Sequence, residues 1–575
     1  MDVSAHLQVR PAPAILFDQA AQRSAQPRYM LPTGDGGWKP LTWGEHADAV
    51  RQTAAALAHR GLAATERVAI FSGNCTGWIE SALGAQAAGL VVVPVYPAST
   101  AEQASYVLDH SDARALFVGG EALVRRVLRA WEALERVDTI VVLDETSVSA
   151  VLDAMTDDGE RGPTAAWVER RFVHVSQLRA EGTAVLKADA TVVEQRVAGL
   201  KLEDPALMLY TSGTTGAPKG VPLTHQNIGV NARDWIENNG PGLPEHGVDV
   251  LWLPMSHIFG FGEACLGNNL GFTTYLCGPK EVMDVVPQVR PTVFMSVPAY
   301  WEKLAGSSIG EADDAAAKQA FDAATGGRLQ FCLSGGAGLS IAVKEHYARC
   351  GVTILEGYGL TECSPTLTLN RPGDFRFDSV GKPLPSVELK LADDGEILAR
   401  GPSVFGGYHK DAAATAGAFD DEGWFKTGDI GRWTDDGFLQ IIDRKKEILV
   451  TAGGKNVPPG NIERLFSSDP LFAHVVVYGD GRKYLVAGVW LEAEVLAERL
   501  AASGAAADDV AARDALVQTA VDAANAKLAR FEQIKRFRVM ERPLTVADGL
   551  LTSTLKVRRK HVYAAFDAAF EGLYA

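Results

Sequence analysis

Between residues 40 and 140, short apolar runs alternate with longer amphipathic stretches. The runs 67–71, 91–95, 115–118 and 140–143 are rich in valine, isoleucine and phenylalanine and read as buried strands. Stretches 43–61 and 78–88 carry apolar positions at helical spacing, and Gly61 stops the first. Strands alternating with helices predict an α/β fold with a parallel sheet. The pattern fades over 144–200, where charges and small residues predict an exposed insertion or long connection without nameable chemistry. It returns at 207–210, 250–253, 273–276, 292–295, 329–333 and 352–355. From about 378 to 442 the runs shorten (387–391, 396–399, 438–442) between Gly, Pro and Asp turns, predicting a small β subdomain. The charge cluster Asp443-Arg444-Lys445-Lys446-Glu447 marks a boundary. Beyond it come a strand at 448–450, a strand pair at 474–478 and 484–489, and helices at 494–502 and 506–530. The expected organisation is a large α/β domain with its β subdomain over 1–442, and a smaller, mobile α+β domain over 443–575.

The most informative stretch follows the run 207–210: Tyr210-Thr211-Ser212-Gly213-Thr214-Thr215-Gly216-Ala217-Pro218-Lys219-Gly220. Hydroxyls, glycines and a lysine leave a strand end, and Thr224 reads as the cap of a helix starting near His225. Glycines let backbone N–H groups close on an anion, hydroxyls add donors and Lys219 adds charge, so the stretch reads as a phosphate loop. The common nucleotide P-loop is excluded, because Ala217 and Pro218 separate Gly216 from Lys219. Further strands end in glycine turns, Ser334-Gly335-Gly336-Ala337-Gly338 and Glu356-Gly357-Tyr358-Gly359. That places several turns at one sheet edge, where open α/β sheets bind ligands.

Composition narrows the chemistry. The chain has 575 residues, with 55 basic against 71 acidic residues and a net charge of −16. That balance argues against nucleic acid as the main partner. The six cysteines show no CxxC pairing, which favours reduced thiols in a cytosol over a zinc site or disulfide scaffold. Residues 1–30 lack a basic-then-apolar leader pattern, and the apolar run 82–97 is broken by Gln86, Gly89, Pro94 and Pro97. The expectation is a cytoplasmic protein. Glu362, directly after the turn ending in Gly359, is placed to meet a triphosphate through a cation, although a lone glutamate there reads equally as a solvated surface group.

In the order of these motifs the chain resembles the adenylate-forming enzymes (acyl-CoA synthetases, adenylation domains and luciferases) over about residues 16–565. The resemblance implies ATP and Mg²⁺ as cofactors and CoA as co-substrate. It assigns the phosphates to Thr211, Ser212, Gly213, Thr214, Thr215, Gly216 and Lys219, with Thr361 on phosphate and Glu362 on Mg²⁺. The adenine pocket falls to Gly335, Gly336, Ala337, Glu356, Gly357, Tyr358 and Gly359, and the ribose to Asp429 and Arg444. Lys556, in Leu551-Thr552-Ser553-Thr554-Leu555-Lys556, matches the lysine that bridges carboxylate and α-phosphate. Many family members have glycine before this lysine; Leu555 stands here, and the form resembles long-chain acyl-CoA synthetases. His257 matches a histidine near the acyl and thiol sites. Lys446 corresponds to the hinge. Gly453 and Gly454 match a loop lining the pantetheine tunnel after the C-terminal domain rotates.

These matches imply ATP-dependent activation of a fatty acid, with long chains expected, and transfer to CoA. Alternatives stay open: a medium-chain or aromatic acid, a carrier protein in place of CoA, or a nucleotide-binding paralogue without activity. A long-chain acid partitions into membranes, so peripheral membrane contact is a further expectation.

Overall fold

The computed structural model describes all 575 residues except 212–216, 307–312, 468 and 553–555. A seven-stranded sheet forms the first half of the large domain. In spatial order it runs Phe172–His174, Thr139–Val142, Ala113–Val118, Arg67–Phe71, Val91–Val95, Pro205–Thr211 and Lys219–Thr224. All neighbours are parallel except the last pair, which is antiparallel with Thr211 opposite Lys219. The phosphate-loop stretch therefore spans a hairpin, and does not lead directly into a helix. The return strand Lys219–Thr224 escapes a hydropathy reading because Gly220 and Pro222 interrupt it. As the edge strand of its sheet it tolerates a proline. The helix His225–Asn239 starts where expected, on a Thr224–Asn227 capping box.

A five-stranded sheet follows, Val293–Ser296, Phe331–Ser334, Ile354–Gly359, Thr366–Leu369 and Lys382–Pro383, its first three strands parallel. A mixed four-stranded sheet, Val248–Leu251, Thr273–Leu276, Pro27–Pro32 and Trp38–Thr42, flanks it. One continuous apolar core joins these layers, and a second covers the other face of the seven-stranded sheet. The β subdomain is an antiparallel sheet of Glu388–Leu391, Glu396–Arg400, Phe425–Trp433 and Leu439–Arg444. Its third strand holds the Lys426-Thr427-Gly428-Asp429 segment. The C-terminal sheet, Phe472–Tyr478, Leu485–Leu491 and Ile534–Val539, has its own core on each face. Among the described residues no helix is long and apolar enough to cross a membrane.

The reading of 144–200 as an exposed connection is corrected. It holds the helices Val148–Asp157, Ala165–Arg171, Val175–Ala188 and Val192–Gly199, and the strand Phe172–His174 on the sheet edge. Helix Val175–Ala188 buries Val175, Leu178 and Gly182. A side chain on Gly182 would come 1.9 Å from the Gln52 carbonyl oxygen, so the glycine is what lets this helix lie against helix Trp43–His59. A packing stripe completed by glycine gives no apolar signal in the sequence.

Candidate active site

Strand ends of both α/β sheets, the β subdomain and one edge of the C-terminal domain converge on a cleft of about 1290 Å³. The Ser334 end of one strand leads into Gly335 and Gly336. Gly357, Tyr358 and Gly359, expected as a turn, are instead the last residues of strand Ile354–Gly359, paired antiparallel with Thr366–Leu369. All five residues line the cleft. A short helical turn, Thr361–Cys363, then presents Thr361 and Glu362 to the same space. Opposite, the hairpin stems present Thr211 and Lys219.

Two polar clusters shape the walls. In the first, Asp429 and Arg444 are register partners on adjacent antiparallel strands. Arg444 Nε lies 2.8 Å from Asp429 Oδ1, and the Tyr358 hydroxyl donates to Oδ2 at 2.6 Å. Burial pushes the Asp429 carboxyl above the ordinary aspartate value, against the pull of Arg444, the Tyr358 hydrogen bond and Lys556. Burial also works against the Arg444 charge, but Asp429 outweighs it and the guanidinium is held above its ordinary value. In the second cluster, the Tyr408 hydroxyl donates to Glu362 Oε1 at 3.0 Å, and Lys219 Nζ sits 4.7 Å from the centre of the same ring. Tyr408 thus links the lysine of the phosphate-loop hairpin to the carboxylate expected to face a metal.

Lys556 enters from the C-terminal domain. Leu551 and Val557 form a bridge, the Thr552 amide donates to the Lys556 carbonyl at 2.8 Å, and the Lys556 amide donates to Thr552 Oγ1 at 3.0 Å. These bonds hold Lys556 at the cleft, where its side chain meets solvent between protein walls. That enclosure, with the Arg444 charge, lowers the ammonium pKa, while Asp429 and Glu447 oppose the shift. His257 caps helix Ile258–Leu270, its Nδ1 accepting from the Phe259 amide at 3.1 Å. Burial, then the Lys556 charge, pushes its pKa down to about 4, so the ring is neutral at neutral pH.

The junction between the domains is anchored on both sides of Lys446. Before it, the Lys445 amide donates to Gly428 O at 2.8 Å, and its ammonium lies 2.7 Å from Glu396 and 2.5 Å from Asp394. After it, Glu447 faces the buried Arg559 at 3.4 Å, and Arg559 also pairs with Glu463. Lys446 is exposed between these anchors and lines the cleft.

Not every expected residue reaches the cleft. Asp429 sits directly behind its wall, tied to Tyr358 and Arg444. Glu356 is turned away: its carboxylate is buried, 2.5 Å from Lys344 Nζ, and accepts the Leu339 amide at 3.1 Å. Neither Glu356 nor Ala337 is among the residues that line the cleft. Gly453 and Gly454 also lie outside it, in an exposed turn closed by the Thr451–Lys455 hydrogen bond and tied to Arg482. Ser212, Gly213, Thr214, Thr215 and Gly216 lie outside the described residues. Tyr408 was not anticipated; its one sequence signal is the glycine pair Gly406-Gly407 before an aromatic residue.

Comparison with known proteins agrees with this geometry. The model of the AMP-binding enzyme family matches residues 16–409, and that of the AMP-binding enzyme C-terminal domain matches 446–575. The long-chain-fatty-acid–CoA ligase FadD15 of Mycobacterium bovis is 34% identical, over 94% of this chain and 93% of its own. Human long-chain-fatty-acid–CoA ligase 1 is 28% identical, over 94% of this chain and 83% of its own. Among solved structures, the adenylation domain of a carboxylate reductase from Mycobacterium chelonae superposes with TM-score 0.81 at 22% identity, covering 100% of this chain and 92% of that one. The anthranilate CoA ligase AuaEII, in complex with anthranoyl-AMP, superposes with TM-score 0.75 at 22% identity, covering 99% of each chain. Matched over most of its length by both family models, the chain belongs to the AMP-binding enzyme family.

Proposed function

We propose that this protein is an AMP-forming ligase that joins a long-chain fatty acid to CoA. The observation that carries the reading is one cleft bordered by the Lys219–Tyr408–Glu362 group, the Tyr358–Asp429–Arg444 group and Lys556. The first group suits a polyphosphate, with Lys219 and Thr361 on its oxygens. Glu362 suits Mg²⁺, which supplies charge neutralisation on the phosphates. Among the described residues no cluster of three or more His, Cys, Asp or Glu could hold a metal by itself. That fits an ion arriving with the nucleotide, since Mg²⁺ usually binds through one or two carboxylates and substrate phosphates. Asp429 offers carboxylate oxygens to ribose hydroxyls, with Arg444 beside it, and Tyr358 closes the base side.

In the first half-reaction a carboxylate oxygen of the acid attacks the α-phosphorus of ATP. The P–O bond to the β-phosphate breaks, giving acyl-AMP and pyrophosphate. The two reactants repel each other as anions, and Lys556 lowers that barrier by standing between them. In the second, the CoA sulfur attacks the acyl carbon, AMP leaves with the bonding pair, and the thiol proton passes to solvent. Gly453 and Gly454 serve this step once the C-terminal domain turns about Lys446. The lysine-in-cleft arrangement corresponds to the first half-reaction.

The long-chain preference and the CoA acceptor are supported by the 28–34% identical ligases named for that activity. The test is AMP formation with ATP and Mg²⁺, with and without CoA, across acids from acetate through benzoate to palmitate. CoA-dependent turnover peaking on long chains is expected. A peak on small or aromatic acids overturns the substrate, and adenylation indifferent to CoA but productive with a carrier protein overturns the acceptor. Flotation with liposomes, leaving all protein in solution, would exclude membrane contact.

A further inference from the structure

The hairpin that bears the phosphate-loop stretch is the outer edge of its sheet, and seven residues connect the register partners Thr211 and Lys219. Thr211 and Lys219 both line the cleft, so whatever holds the two stems also places these two residues. Both stems are fixed by one helix. Helix Ala101–His110 starts on a Thr100–Gln103 capping box and buries Ala104, Val107 and Leu108. Its last turn directs two aromatic side chains, four residues apart, at the hairpin. The Tyr106 hydroxyl donates to the Pro218 carbonyl at 3.0 Å, on the outgoing side of the loop. His110 Nδ1 shares a hydrogen bond of 2.9 Å with the Tyr210 hydroxyl, on the incoming side. The two rings stack at 5.3 Å, so each steadies the other. The end of the helix is held in turn: Lys410 Nζ donates to the His110 carbonyl at 3.0 Å, and the adjoining His409 amide donates to the Gly220 carbonyl at 2.9 Å.

We infer that Tyr106 and His110 are positioning residues that clamp the two stems of the phosphate-loop hairpin and so place Thr211 and Lys219 for the ATP phosphates. The inference rests on the proposed reading of that loop. A hydrogen bond between protein groups is ordinarily a modest stabiliser, but here two of them hold both stems of one hairpin. Their value is preorganisation: nucleotide binding does not then have to order the stems.

Calorimetric titration of the full chain with ATP and Mg²⁺, without fatty acid, reads this directly because nothing turns over. Tyr106→Phe deletes one oxygen and His110→Phe keeps the stack while removing the ring nitrogen. Each is expected to weaken ATP binding about three- to tenfold, and the pair more than either alone. His110→Asn, whose amide can replace Nδ1, is expected to restore most of the affinity. The fatty-acid KM and the melting temperature should stay at wild-type values. Lys219→Ala serves as the control on the loop itself. If Lys219→Ala weakens ATP and the Tyr106/His110 double variant binds like wild type, the clamp is overturned and the phosphate loop stands. If Lys219→Ala also binds like wild type, the loop reading falls and the clamp with it. A melting temperature that drops together with equal changes in both substrates' KM overturns the clamp in favour of a purely structural role.

Discussion

The C-terminal domain presents two chemically suggestive faces, and they stand in different places. One carries Lys556 into the cleft, within the influence of Asp429, Arg444 and His257. The other carries Gly453 and Gly454, in an exposed turn outside the cleft. Both segments point to ligand handling on sequence grounds, yet one orientation of the domain can serve only one of them. The junction is tied through Lys445 to the β subdomain and through Glu447 to Arg559, and the proposed reading takes Lys446, between them, as the hinge. On that proposed reading, one cleft hosts two half-reactions by exchanging one wall.

The sharpest way to break this comparison is Lys556→Ala. Adenylation should fall by about 10²–10³-fold, the scale of losing a preorganised charge at the reacting centre. Thioester formation from synthetic acyl-AMP and CoA should persist. Pyrophosphate release measured beside acyl-AMP consumption separates the two; equal losses in both would sink the division of labour. Asp429→Asn comes next. It removes the charge that holds Arg444 while keeping the Tyr358 contact, so ATP affinity should weaken by about 10- to 100-fold with acyl-AMP conversion less affected. Unchanged ATP titration would remove Asp429 from the nucleotide site.

On the other face, Gly454 has φ of +72°, a conformation that a β-branched residue adopts only with strain. Gly454→Val should slow the thioester half-reaction about tenfold while leaving adenylation intact. Lys446→Pro should give the same signature through the hinge, since among the described residues the Lys446 amide donates no hydrogen bond that proline would remove. Equal loss of both half-reactions in either variant would place the turn or the hinge outside the cycle.

What sequence alone made legible follows a physical rule. Uniform apolar runs such as 67–71 and 91–95 survive as strands because burial on both faces demands them. The turn at 335–336 was visible because glycine punctuates strand ends, whereas 357–359 continue their strand through pairing with Thr366–Leu369. Features made by pairing were not visible. The edge strand Lys219–Thr224 hides behind a glycine and a proline, and helix Val175–Ala188 packs through a glycine. Glu356 stands in a site motif, but a buried lysine from the preceding helix, Ile341–Arg349, claims its carboxylate. Tyr408 and the Tyr106–His110 pair act through contacts whose partners lie tens to hundreds of residues away. Local sequence carries no trace of such pairings.

The smallest expected effect concerns the cleft wall itself. His257 is pushed down to about 4 by burial and then by Lys556, against about 6.5 for a free imidazole. Between those values the unfolded chain binds a proton that the folded chain refuses, so acidification through this window favours unfolding. A proton on Nδ1 would also break the cap on the Phe259 amide. His257→Asn keeps a capping acceptor and removes the titration. Relative to wild type, its melting temperature should therefore rise on going from pH 7 to pH 4.5, on the order of 1–3 °C. Other shifted groups, His225 at about 4 and Asp249 at about 6, are common to both proteins and cancel in the difference. A gap between variant and wild type that stayed constant with pH would mean that the imidazole ionises as freely in the fold as in water, and that the cleft wall at helix Ile258–Leu270 is wetter than its packing indicates.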